Sequence, residues 1–299
     1  MTAPATPVGA LPGFPFSSRR TVVGGHEMAW VDEGSGPPVL LVHGNPTWSF
    51  YFRSLLHALP AQGLRAIAPD HVGMGRSDKP SSSDYPYTLR RRVADLTEFV
   101  DGLGLTEPLS LVVHDWGGAI ALAWAVEHVE QVDRIVLLNT GAFPLPPGKT
   151  IPWTLRAARV PVLGDLAVTR LNAFSLGALV LGSGKRWLPA EARRGLLAPY
   201  DSAAHRVSVS RFVQDIPLGP GDPAHAVLAR TEERLPLLTE PVQVHWGMKD
   251  PVFDATVLDH LLTLLPQADV HRYDDAGHYV LEDVPERIVP QVTRFLAPR

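Results

Sequence analysis

The 299-residue sequence contains no cysteine, no strong excess of charge and no long hydrophobic run. The absence of cysteine excludes disulfides, thiolate nucleophiles and cysteine-based metal sites. The net charge of −4 argues against a surface for nucleic acid or a polybasic membrane surface. No apolar stretch reaches the ~18 residues needed to span a bilayer. The first twenty residues also lack the pattern of a secretory signal, so we expect a cytoplasmic protein.

Short apolar runs, each ending in turn-forming or polar residues, predict buried strands. They are residues 37–44, 64–70, 109–115, 133–139, 241–247 and 269–275. Helical patterns lie between them, for example at 87–103 and 117–129. This alternation predicts an α/β fold with a mostly parallel central sheet and helices on both faces. Ligands of such sheets bind at the carboxyl ends of the strands.

The alternation stops between residues 141 and 225, where helical patterns and prolines occur without a clear strand. We interpret 141–225 as a helical lid inserted into a core formed by 1–140 and 226–299. The lid should cover the strand ends and hold hydrophobic groups. The alternative is a peripheral helical layer with no role at the site.

The segment VHDWGG lies where a predicted strand meets a predicted helix, which is the position of a nucleophile elbow. Gly117 and Gly118 supply the small residues that this sharp turn requires, although Val113 replaces the usual first glycine. Asp115 then stands where a hydrolase has its serine. The alternative is that Asp115 only caps the following helix.

A catalytic triad on this fold runs in the order nucleophile, acid, histidine. His278 lies in a loop after the last predicted strand, where the base belongs, and Asp250 follows the strand before it. The other possible position for the acid holds Asn139, so Asp250 is the better candidate. Alternatively, His278 is a structural histidine and Asp250 forms a turn before Pro251.

Two further positions could stabilise a developing negative charge. The backbone N–H of Trp116 follows the nucleophile, and Asn45 lies in the loop after an earlier strand. Their side chains add an indole and an amide donor. Packing and loop turning are the simpler roles for both residues.

A carboxylate differs from a serine because it is already ionised at neutral pH. It can displace a leaving group from carbon and form an ester, which a histidine-activated water then attacks. An aspartate in the elbow therefore suits substitution or elimination at carbon rather than ordinary ester or peptide hydrolysis.

The segments HGNPTWSF, PDHVGMGRSDKP, VVHDWGG, GMKD and AGHYVLED together resemble the haloalkane dehalogenase branch of the α/β-hydrolase fold. The resemblance implies Asp115 as nucleophile, Asp250 as acid and His278 as base. It also implies Asn45 and Trp116 as the halide-binding pair, a combination similar to that of the third subfamily.

The lid segments LNTGAFPLPPGK, LNAFS, LAPYDS and RFVQDIPLGPGDP resemble the β-lactone decarboxylases of bacterial long-chain olefin biosynthesis. This resemblance implies conversion of a cis-3,4-dialkyl-β-lactone to a cis-alkene and carbon dioxide, without metal or organic cofactor. It implies a hydrophobic small-molecule substrate and a possible complex with the upstream β-lactone synthetase.

Three alternatives remain open beside this reading. A haloalkane dehalogenase would use the same residues. An epoxide hydrolase would need lid tyrosines, of which the lid has only Tyr200. A non-catalytic binding module is disfavoured because all three triad positions are filled.

Overall fold

The computed structural model describes residues 11–185 and 187–298. In these ranges eight strands form one sheet: β1 (Arg19–Val23), β2 (His26–Gly34), β3 (Pro38–Val42), β4 (Arg65–Pro69), β5 (Leu109–Asp115), β6 (Val132–Thr140), β7 (Val242–Gly247) and β8 (Asp269–Tyr273). The α-helices of the same ranges are α1 (Arg53–Ala58), α2 (Leu89–Gly102), α3 (Trp116–Ala125), α4 (Trp153–Ala158), α5 (Leu163–Leu171), α6 (Ala173–Leu181), α7 (Ala190–Leu197), α8 (Val207–Gln214), α9 (Pro223–Arg234), α10 (Ala255–Leu264), α11 (Val280–Asp283) and α12 (Pro285–Leu296).

The strand order across the sheet is β1-β2-β4-β3-β5-β6-β7-β8. β2 is antiparallel to both β1 and β4, and the remaining neighbours are parallel. The chain reverses its direction of travel across the sheet between β3 and β5. Such a switch point leaves a crevice at the carboxyl ends of the two strands, which is where this class of sheet binds its ligands.

All six predicted strands are present, which confirms the mostly parallel sheet. The hairpin of β1 and β2 was not predicted. β1 is largely exposed and β2 is half-buried at both ends, so neither shows the continuous apolar run of the central strands. By contrast, β3 and β5 are buried along their whole length because helices cover both faces of the sheet.

The helices next to the sheet fall into two groups. α2, α3 and α9 pack against one another, whereas α1 packs against α12. α3 begins directly at the end of β5 and is buried almost throughout, because it lies between the sheet and the neighbouring helices. α2 begins at Thr88, whose hydroxyl accepts a hydrogen bond from the backbone N–H of Arg91.

The described residues between β6 and β7 form helices and loops without a strand. The predicted boundary at residue 225 falls inside α9, which begins at Pro223 and packs against α2 and α3. The lid is therefore better ended just before α9. Residues 1–10 belong to the predicted core and to the segment tested for a secretory signal, and they lie outside the described ranges.

Candidate active site

Asp115 occupies a sharp turn at the junction of β5 and α3. Its backbone has φ 53° and ψ −129°, a conformation rarely adopted by residues other than glycine. The Thr140 hydroxyl donates a hydrogen bond of 2.5 Å to the carbonyl oxygen of Asp115. The Asp115 side chain makes no capping hydrogen bond to α3, so the capping alternative is wrong. The carboxylate instead accepts a hydrogen bond from the backbone N–H of Asn45.

The glycines around this turn allow the chain to pack closely. A methyl group on Gly117 would lie 2.0 Å from the carbonyl oxygen of Val42 in β3. One on Gly118 would lie 1.8 Å from the hydroxyl of Thr140. A methyl group on Gly44 would meet the Asp115 carboxylate at 2.3 Å. The loop after β3 can therefore approach Asp115 only because these positions carry no side chain.

We expect Gly117→Ala to destabilise the protein by about 1–3 kcal/mol, because backbone atoms of β3 must move to admit the methyl group. Gly102→Ala is the matched control, since nothing lies within 4 Å of its added carbon. The free energies of unfolding from urea titrations measure both effects. Equal stability of the two variants would contradict the close packing at the elbow.

His278 links the elbow to the acid. Its Nε2 lies 3.8 Å from Asp115 Oδ1, and its Nδ1 lies 2.8 Å from Asp250 Oδ2. Asp250 Oδ1 accepts the backbone N–H groups of Val252 and Phe253, so the acid also forms the predicted turn. The three side chains come from the ends of β5 and β7 and from the loop after β8, as the sequence predicts.

Asn139 at the end of β6 holds the acid in place. Its Nδ2 donates to Asp250 Oδ2 at 3.0 Å and to the carbonyl oxygen of Gly247 at 3.1 Å, while its Oδ1 accepts the N–H of Gly247. In the sequence, Asn139 is notable only as a position where the acid could have stood and no carboxylate is present. Its contact with the acid is separated by 111 residues in sequence, so no local pattern indicated it.

The buried site favours an ion pair between Asp115 and His278. Burial raises the pKa of Asp115, while His278 and the backbone N–H of Asn45 oppose that rise. Burial alone would lower the pKa of His278, but Asp250 and Asp115 outweigh it and raise that pKa to about 9. The neighbouring carboxylates therefore favour the protonated imidazole, and the protonated imidazole in turn favours the charged form of Asp115. Converting Asp115 to a neutral ester removes one of the charges that hold this proton.

His114, directly before Asp115, contacts the loop that carries His278. Its Nε2 donates to the carbonyl oxygen of His278 at 2.9 Å, and its ring stacks on Tyr51. Burial lowers the pKa of His114 well below its usual value, so the ring is neutral. Its role is to fix the loop that carries His278.

Asn45 and Trp116 both lie beside Asp115 in the lining of the cavity. The backbone N–H of Asn45 donates to Asp115 Oδ2 at 2.6 Å, and one side-chain N–H donates to the carbonyl oxygen of Val209 at 3.2 Å. The second side-chain N–H of Asn45 has no such bond, and the Trp116 indole N–H has no hydrogen-bond partner among the described residues. Both side chains line the same cavity as Asp115.

The cavity has a volume of about 810 Å³ and is predominantly apolar. The lid supplies much of its wall, including Phe143, Trp153, Leu163, Phe174 and Leu181. Residues of the predicted lid therefore border the cavity that Asp115 also lines. Asp115, His278 and Lys149 are the charged side chains among the lining residues. Lys149, which the sequence analysis did not single out, is paired with Asp254 at 2.7 Å.

The described residues contain no group of three or more His, Asp or Glu side chains that could hold a metal ion. The family model described as alpha/beta hydrolase fold matches residues 37–285 of the chain. The chain belongs to the α/β-hydrolase fold family. The match begins just before β3 and ends at the start of α12, so it includes the lid and every residue of the candidate site.

Two curated relatives carry the same name, cis-3-alkyl-4-alkyloxetan-2-one decarboxylase. The one from Xanthomonas campestris pv. campestris is 45% identical over 294 residues, which cover 95% of this chain and 97% of that protein. The one from Shewanella oneidensis is 41% identical over 283 residues, which cover 94% of this chain and 89% of that protein. Both matches extend through the lid, and they confirm the resemblance read from the lid segments.

Solved structures of haloalkane dehalogenases share the fold. That of DbeA from Bradyrhizobium elkani has a TM-score of 0.83 and 26% identity, covering 94% of this chain and 98% of that one. The resemblance to the dehalogenase branch is thereby also confirmed.

Proposed function

We propose that this chain decarboxylates cis-3,4-dialkyl-β-lactones, giving cis-alkenes and carbon dioxide. The observation that carries the proposal is a charged Asp115 carboxylate at the floor of a large apolar cavity, with Asn45 and Trp116 beside it. The two relatives named for this reaction match nearly the whole chain, including the lid that forms the cavity wall.

In the first step an Asp115 oxygen attacks the alkyl-bearing ring carbon to which the ring oxygen is bonded. A new carbon–oxygen bond forms, the bond to the ring oxygen breaks, and its electron pair becomes part of a free carboxylate. In the second step the bond between that carboxylate and its neighbouring carbon breaks. Its electrons form the alkene, carbon dioxide leaves, and the ester bond returns its pair to Asp115. No water or cofactor is consumed.

This sequence accounts for retention of the cis arrangement. Attack by Asp115 inverts the ring carbon and places the ester opposite the new carboxylate. Elimination from that opposed arrangement leaves the two alkyl groups on the same side of the double bond. The apolar cavity suits both alkyl chains, and it keeps water from the ester.

The remaining groups stabilise charge. The side chains of Asn45 and Trp116 line the cavity, and their N–H donors are suited to hold the departing carboxylate. Protonated His278 adds a positive charge 3.8 Å from Asp115, fixed by Asp250. These roles require no proton transfer in the lactone reaction, because every bond that breaks returns its electrons to a carboxylate or to the alkene.

Haloalkane dehalogenation is the second candidate function. It is favoured by the same donor pair, which could hold a halide, and by the shared fold of DbeA. In that reaction His278 must lose its proton before it can activate water. Epoxide hydrolysis is disfavoured because the Tyr200 hydroxyl donates to the carbonyl oxygen of Thr47 at 3.0 Å and the residue does not line the cavity.

We expect purified protein to convert a synthetic cis-β-lactone to the alkene with a kcat/KM at least about a hundredfold higher than for a bromoalkane of similar length. Alkene is measured by gas chromatography and bromide by ion chromatography. Asp115→Ala provides the background for spontaneous decarboxylation. Bromide release that exceeds alkene formation would instead assign the chain to the dehalogenases.

We further propose that the chain works in the cytoplasm, together with the β-lactone synthetase that supplies its substrate. A reactive, poorly soluble lactone gives a reason for such proximity. Co-purification of a tagged chain from its host, followed by cell fractionation, tests both points. Recovery of the chain without the synthetase, in gentle as well as stringent washes, would contradict the complex.

A further inference from the structure

The outer surface of the lid is rich in apolar side chains. Of the fourteen large apolar residues that are most exposed in the described ranges, twelve lie between 145 and 218. The whole lid, 141–225, has only 85 of the 299 residues, so this concentration is not an even scatter. We define the lid face as the most exposed of these on α4–α6 and their connecting turn: Trp153, Val160, Val162, Leu163, Leu166, Leu171, Leu176, Val180 and Leu181.

The lid face borders an opening of the cavity. α5 contacts both α4 and α6, so the lid face lies on helices that pack together. Leu163 and Leu166 are three residues apart on α5, and Leu176 and Val180 are four apart on α6, which places each pair on one side of its helix. Trp153 is 78% exposed and Leu163 71% exposed, yet both also line the cavity. The cavity therefore reaches the surface within the apolar patch.

Positive charge accompanies the lid face. Residues 141–225 contain ten Lys or Arg and five Asp or Glu, a net charge of +5 in a chain whose total is −4. Arg156 on α4, Arg170 on α5 and Lys185 after α6 are exposed. The net charge of the whole chain, from which the sequence analysis excluded a basic membrane surface, therefore does not describe the lid.

We propose that the lid face docks on an anionic lipid bilayer, with the cavity opening turned towards the lipid. α5 and α6 are each nine residues long and meet at 79°, so each helix is too short to cross a bilayer but can lie in its surface. The described chain has no single helix long and apolar enough to span a membrane. Exposed leucines and tryptophan would enter the acyl boundary while arginines meet anionic headgroups.

The consequence is a route for a water-insoluble substrate from the bilayer into the cavity. Two alkyl chains dissolved in lipid would enter past Trp153 and Leu163 without crossing water. Docking follows from the surface alone, and it would hold for an alkyl halide as well as for a lactone. A failure of the proposed reaction therefore leaves this proposal in place.

The test is flotation of the purified full chain with vesicles of phosphatidylcholine alone or of phosphatidylcholine with phosphatidylglycerol. We expect binding to the anionic vesicles and a steep loss of binding as salt rises. Leu171→Ser/Leu176→Ser and Arg156→Glu/Arg170→Glu should each weaken binding by about tenfold or more. None of these four residues lines the cavity, so turnover of a short, water-soluble substrate should stay unchanged.

Matched controls lie on the core. Arg90→Glu on α2 and Leu237→Ser before β7 change exposed residues of the same types outside the lid face, and they should bind vesicles like the unaltered chain. The proposal is overturned if the unaltered chain remains at the bottom of the gradient while the vesicles float. It is also overturned if the lid and core variants bind vesicles equally. Concentration-dependent self-association that is lost only in the lid variants, without vesicle binding, would also overturn it and assign the lid face to a second copy.

Discussion

Replacing Asp115 with Ala should abolish turnover, whereas replacing His278 with Ala should let a bromoalkane trap the enzyme as a covalent adduct. Asp115 needs no base to become a nucleophile, because an ionised carboxylate attacks directly and the His278 imidazole, 3.8 Å away, favours the charged form. Loss of a nucleophile from a comparable triad lowers kcat by on the order of 10⁶, and we expect a similar loss here. The assay is alkene formation from the β-lactone under saturating substrate.

The adduct should persist in His278→Ala because water attacks an ester slowly without a general base. In the unaltered chain, esterification removes the Asp115 charge, one of the charges that raise the pKa of His278, and this favours the neutral imidazole that can act as a base. A β-lactone should leave no lasting adduct in the same variant, since elimination returns Asp115 without water. Intact-protein mass spectrometry after incubation with each substrate distinguishes these outcomes.

The controls separate trapping from unspecific alkylation. His271→Ala on β8 removes a histidine remote from the cavity and should show neither an adduct nor a loss of turnover. The double variant Asp115→Ala/His278→Ala should remain unmodified. An adduct that survives in that double variant, or that peptide digestion maps to a residue other than Asp115, would refute the carboxylate elbow.

Much of the fold could be predicted because the central strands are buried on both faces. β3 and β5 read as continuous apolar runs, and the glycines after Asp115 mark the turn that follows. The hairpin of β1 and β2 was not predicted because both strands mix exposed with buried positions and neither is a continuous apolar run.

The sequence indicates which candidate residues come together, but not the contacts that support them. Asp115, Asp250 and His278 each follow a strand in the order that this fold requires, whereas Asn139 acts through a contact that only the folded sheet creates. The positive charge of the lid was not predicted, for a different reason. A net charge averages over the whole chain and conceals a basic segment that a more acidic core offsets.

Replacing Asp250 with Asn should lower turnover by on the order of 10⁴, as loss of the orienting acid does in a serine triad. Oδ1 of Asp250 accepts two backbone N–H groups, and Oδ2 accepts N–H groups from His278 and Asn139. An asparagine has only one acceptor oxygen, so its NH₂ group must face donors on one side. The charge that raises the pKa of His278 is lost in either orientation. Because an amide has nearly the same shape as a carboxylate, the fold should be retained, which circular dichroism can verify.

Asn139 provides the most direct test of this assignment, because it places a second side chain beside the same oxygen. His278 and Asn139 both contact Asp250 Oδ2, at 2.8 and 3.0 Å. In the exchanged variant Asn139→Asp/Asp250→Asn, a carboxylate returns to within ~6 Å of the imidazole, close enough to favour its charged form. We expect turnover about tenfold above that of Asp250→Asn alone, corresponding to one pKa unit of recovered interaction. Asp259→Asn is the matched control, since that aspartate is exposed on α10 and does not line the cavity. Turnover of Asp250→Asn within a few-fold of the unaltered chain would show that another group orients His278.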